Sequence, residues 1–174
     1  DRRFRIEHAQ HLTQKAIKRF APERIIPSMQ PYHAIDDGRW AYERLDEERL
    51  KGTYAFKSLL NTKANLTFGS DWTVAPLLPL AGIYAAVTRR TLDDKTDKGW
   101  YPEERLTVEE ALRCYTYNNA YAGFQENKVG ILKKNMLADF VVLSENLFEI
   151  APEKIKEVTV VLTVINGKEV YNKR

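Results

Sequence analysis

Phe4-Arg5-Ile6-Glu7-His8-Ala9-Gln10 and, after a helical stretch, Ile25-Ile26-Pro27-Ser28-Met29-Gln30-Pro31 decide the fold class of this chain. Each opens with a short apolar run of strand length. Between them Thr13 offers an N-cap, Leu12 can staple onto Ile17, and Ala16, Ile17 and Phe20 form one helical stripe. Pro31 cannot donate to a ladder, so the second strand is expected to stop there and pass into a loop. The charged residues from Asp36 through Lys51 read as a solvated surface. A helix from Tyr54 to Leu60 and a strand from Asn65 to Phe68 follow, the strand ending on Gly69-Ser70-Asp71. Leu80, Ile83, Tyr84 and Val87 recur at helical spacing behind Pro79, and Thr107-Val108-Glu109-Glu110 has the form of a capping box. Strands alternating with helices predict an α/β chain whose βα units feed a parallel sheet or barrel.

Beyond Gly130 the pattern becomes β-rich. Ala138 to Leu143 and Val158 to Ile165 are strand-like, and Asn166-Gly167 offers a two-residue hairpin turn into Lys168 to Tyr171. The expected division is therefore 1–128 for the α/β part and 129–174 for the β element.

Composition narrows the function. The 174 residues are 44% hydrophobic and 29% charged, enough for a packed core and too apolar for a disordered chain. A net charge of +3, spread along the sequence, carries no nucleic-acid footprint. The single cysteine, Cys114, excludes an internal disulfide or a multi-cysteine zinc module, and is expected to be packed and inert. No apolar run reaches the roughly 18 residues of a membrane span. The chain opens Asp1-Arg2-Arg3-Phe4, without an initiator Met, and is expected to be a piece of a longer protein.

Among three histidines, His8 stands at the end of the first strand, on the face of Ile6 and opposite Glu7. At the C-terminal end of a parallel strand an imidazole can serve as a metal ligand; the alternative is a hydrogen-bonded strand-end histidine. Asp71, also past a strand, can bind metal through one oxygen and take a proton from activated water with the other, or simply cap a turn. His33 can contact substrate or its developing oxyanion, or lie in a surface loop. Trp72 can wall a pocket, with Tyr32 and Trp40 as further aromatic candidates. His11, before the first helix, is expected to be exposed.

Several segments together resemble one family. Arg5-Ile6-Glu7-His8-Ala9-Gln10, Ser28-Met29-Gln30-Pro31-Tyr32-His33 and Gly69-Ser70-Asp71-Trp72 stand in the order of the last three barrel strands of metal-dependent amidohydrolases, in the YtcJ-like branch that includes N-substituted formamide deformylases. Ala86-Val87-Thr88-Arg89, Leu106 to Leu112, Tyr115 to Ala120 and Ala138 to Leu143 resemble that family's C-terminal part. The resemblance implies a partial (β/α)8 TIM barrel, its last three βα units, plus C-terminal strands of a small β-sandwich. It implies hydrolysis of an amide-type C–N bond in a small-molecule substrate, with His8 and Asp71 as ligands of a divalent metal, most simply zinc. Asp71 is also the implied general base, with His33 and Trp72 near substrate and Glu7 structural. Asn135 stands where the family commonly has a turn Gly, and tolerates that geometry.

The family's first-strand His-x-His pair, its bridging Lys or Glu and its fifth-strand His have no counterpart here. The isolated chain is therefore expected to be inactive, and to self-associate through the exposed surfaces of a half barrel. A non-catalytic binding or regulatory protein that keeps the fold remains the alternative.

Overall fold

The structure is a computed structural model and describes residues 1–173. Three parallel strands, β1 (Arg5–Glu7), β2 (Ile26–Met29) and β3 (Thr67–Phe68), form one sheet in the order β1-β2-β3. Glu7 pairs with Ser28, and Ser28 with Thr67, so all three strands end at the same edge of the sheet. Helix α1 (Gln14–Ile17) connects β1 to β2, and the Thr13 side chain accepts from the Ala16 amide as its N-cap.

The loop expected after Pro31 is instead a helix. α2 (Pro31–Asp37) begins on that proline, because a residue that cannot extend a strand is favourable at the first helical position. His33 consequently sits in the first turn of a helix. The stretch to Lys51 is also less solvated than its charge suggests. It folds into a 3-10 turn at Ala41–Glu43 and helix α3 (Glu47–Leu50), burying Ala41 and Leu50. α4 (Phe56–Asn61) then leads into β3.

The remaining helices form the layer behind the sheet. α5 (Pro79–Thr88) starts on Pro79 as expected but is buried from Gly82 through Thr88, not along a single stripe. It packs against α2, against α6 (Val108–Tyr115) and against the 3-10 turn at Pro152–Glu157, and so is covered from several sides. α6 carries the complete capping box between Thr107 and Glu110, and α7 (Tyr117–Ala122) follows it. Met29, Phe56, Leu66, Phe68, Ile83 and Ala111 centre one hydrophobic core that also takes in Leu147, Ile155 and Val158.

A second, antiparallel sheet has the order β4-β5-β6, with β4 (Phe140–Leu143), β5 (Val160–Ile165) and β6 (Lys168–Asn172). Asn166 and Gly167 turn the hairpin with φ of 49° and 71°, the pair of positive values that a two-residue turn of this kind requires. β5 begins at Val160 rather than Val158, since Val158 closes the preceding 3-10 turn and is buried. β1 lies at the edge of the parallel sheet and all three of its residues are exposed, as is Phe4 beside it.

Candidate metal centre

Because the strands end in register, the residues that follow them meet. His8 comes directly after β1, His33 in the first turn of the helix after β2, and Asp71 three positions past the end of β3. Each offers one ligand-capable atom, and these atoms all lie within 4.8 Å of one another. The rings of His8 and His33 stack with centroids 6.4 Å apart. His8 and Asp71 are exposed and His33 is half-buried. Both exposed residues have left-handed backbone, φ 64° at His8 and 57° at Asp71. That conformation is uncommon outside Gly, Asn, Asp and His, and it aims each side chain away from its strand direction.

The protonation chemistry suits a cation. Burial holds the His33 imidazole below its ordinary range, with Asp71 and Asp37 pulling the other way, which favours the neutral ring that a metal binds. Nε2 of His33 is buried and has no hydrogen-bond partner among the described residues. Nδ1 of His8 lies 3.0 Å from Oε1 of Gln30, leaving its other nitrogen free. Two imidazoles and a carboxylate that converge, with one buried nitrogen unpartnered among the described residues, fit a divalent ion.

Comparison with known proteins agrees. The model of the Amidohydrolase family matches residues 1–171. The putative amidohydrolase YtcJ of Bacillus subtilis is 34% identical over 172 residues, 99% of this chain and 32% of that protein. The chain belongs to the amidohydrolase family, in its YtcJ-like branch. Protein LONG AFTER FAR-RED 3 of Arabidopsis thaliana is 43% identical over 174 residues, 98% of this chain and 29% of that protein. The amidohydrolase chain thus spans about a third of the length of these curated relatives. A crystal structure of an uncharacterised metal-dependent hydrolase from Pyrococcus horikoshii superposes with a TM-score of 0.74 at 30% identity, covering 85% of this chain and 30% of that one.

The other sequence candidates lie outside the cluster. Trp72 is 65% exposed, its amide donating to Ser70 Oγ. Trp40 is exposed too, while Tyr32 packs against the core. His11 is exposed at the residue level, with Nδ1 3.0 Å from Thr53 Oγ1. Because that hydroxyl donates to the Arg49 carbonyl, His11 is the donor. Glu7 pairs with Arg5 on the exposed edge strand, and Asn135 takes φ 72° as a left-handed turn residue. Cys114 is fully buried, and burial, more than nearby Glu110, pushes its thiol up to about 12.

Sequence reasoning missed the supports. Asp37, read as a surface carboxylate, accepts from Gln10 Nε2 at 2.5 Å and from the Tyr54 hydroxyl at 2.6 Å. Burial, then the Asp37 carboxylate, raises the Tyr54 hydroxyl pKa far above its ordinary value. The Tyr54 amide also donates to the Gln10 carbonyl, and the Leu12 amide to that of Gly52, so the segment after His8 is laced to residues 52–54. The segment after β1, the α2 helix and Tyr54 are thereby tied on one carboxylate. Gln30, which follows β2 directly as His8 follows β1, was not singled out in the sequence either.

Proposed function

We propose that this chain supplies the last three βα units, within residues 1–128, of a (β/α)8 barrel, and that residues 129–174 contribute strands to a small β-sandwich. The function is metal-dependent hydrolysis of an amide-type C–N bond in a small molecule. The convergence of His8, His33 and Asp71 within 4.8 Å at one edge of the sheet carries this reading. Their two nitrogens and one carboxylate oxygen are donors that would hold a divalent ion together with ligands from the barrel strands outside these residues. A divalent ion there contributes Lewis acidity towards the carbonyl and towards water. Asp71 accepts the proton of the attacking water with its second oxygen and returns it to the departing nitrogen. His33 belongs to the donor cluster and also borders the space where substrate arrives. Trp72, beside Asp71, offers an apolar wall once it is covered.

The 174 residues alone are proposed to be inactive, because the other metal ligands of the family have no counterpart here and His8, Asp71 and Trp72 stand open to water. Exposed Phe4 and Ile6 on the unpaired edge strand favour self-association, read as a concentration-dependent sedimentation coefficient; a fixed monomer at all concentrations opposes it.

The test is Asp71→Asn in the full-length protein that completes the barrel, assayed on formamides, acyl-amino acids and cyclic amides with metal analysis in parallel. Asn tolerates the left-handed backbone, so the fold should persist while turnover disappears. Undiminished hydrolysis would remove Asp71 from the mechanism.

A further inference from the structure

A neutral imidazole can offer a cation one particular nitrogen only when the other carries the proton, and the isolated ring does not enforce that choice. Beside His8, Gln30 is placed to make that choice. That residue follows β2 and is 5% exposed, and its side-chain oxygen lies 3.0 Å from His8 Nδ1. An amide oxygen only accepts, so with that oxygen facing the ring the hydrogen would sit on Nδ1 and the lone pair on Nε2. The same residue reaches the second histidine through its main chain, since the His33 amide donates to the Gln30 carbonyl at 3.1 Å. Gln30 therefore touches both imidazole-bearing elements, one by side chain and one by backbone.

We infer that Gln30 is a positioning residue that fixes the Nδ1–H tautomer of His8 and the direction of its ring, presenting Nε2 to the cluster with His33 and Asp71. The inference rests on the metal-centre reading, yet the tautomer is a property of the ion-free protein and is measurable without any ion. A partner of this type typically changes metal affinity about 10–100-fold when removed.

Nitrogen-15 multiple-bond NMR on the ion-free protein reads the tautomer; the His8 signals are assigned by their loss in His8→Gln. The wild type should show Nδ1–H, Gln30→Leu should shift His8 towards Nε2–H, and Gln30→Glu, whose carboxylate also accepts, should restore Nδ1–H. In chelator-competition titrations Co2+ should bind Gln30→Leu about 10–100-fold more weakly than wild type or Gln30→Glu. Wild-type His8 in the Nε2–H form, or Gln30→Leu unchanged in both tautomer and affinity, would overturn the inference. If Gln30→Leu does not fold, the wild-type tautomer decides alone. A full-length protein that binds no Co2+ but switches tautomer on substitution would refute the metal centre and leave the role of Gln30 intact.

Discussion

Asn118→Ala should destabilise the protein more than any other single truncation on α7, and the size follows from its surroundings. Asn118 is 5% exposed, and its Nδ2 donates to the Leu66 carbonyl at 2.8 Å, with a weaker contact to Cys114 Sγ at 3.8 Å. Leu66 is fully buried, so water cannot replace the lost donor. A buried acceptor deprived of its donor costs about 1–3 kcal/mol. The vacated amide volume adds about 1 kcal/mol. The sum is about 2–4 kcal/mol. The adjacent Asn119 makes a formally similar bond, Nδ2 to the Phe68 carbonyl at 2.8 Å, but is only partly buried. Phe68 is buried as Leu66 is, but Asn119 itself is partly exposed and lines an open cavity with Gln125 and Ile131 from which water can follow the lost amide, so Asn119→Ala should cost about 0.5–1.5 kcal/mol. Urea unfolding should show both midpoints lowered with an unchanged slope, Asn118→Ala much the further. The reasoning fails if Asn118→Ala lies within about 0.5 kcal/mol of wild type, or if Asn119→Ala is the costlier change.

Two further outcomes follow from the same core. With its thiol pushed up to about 12, Cys114 stays protonated in the folded protein at about pH 8, so a disulfide-exchange reagent should label it only as fast as the protein unfolds. The associated stability is intact below the ordinary thiol pKa and is lost as pH climbs towards about 12; a fast labelling phase at neutral pH would contradict this. Gly82→Ala should cost about 1–3 kcal/mol by overpacking, since its new Cβ would collide with the hydroxyl of the partly buried Tyr115. A thermal midpoint equal to wild type would show that Tyr115 can move aside.

Elements with local causes were legible in the sequence. Thr13, Pro79, the Thr107–Glu110 box and Asn166-Gly167 each act within a few residues, and each performs its expected task. The meeting of residues near 8 and 71 was also legible, because strand ends in a parallel sheet share an edge. What escaped was information carried by packing. Pro31 has opposite meanings for a strand and for a helix start, and only the space behind β2 decides between them. Asp37 looks like its charged neighbours until Tyr54 and Gln10 arrive from other elements. α5 shows a one-sided pattern although Pro152–Glu157 later covers its outer face.

That last covering bears on how the polypeptide is made. Leu147, Ile155 and Val158 complete a core that otherwise belongs to residues before 130. During synthesis, α5 therefore remains half-clothed until the ribosome has released the residues around 158, long after its own turns have formed. The greasy flank it shows meanwhile is a natural target for chaperones. A stop codon placed at the visible change of pattern near residue 128 would make that interval permanent.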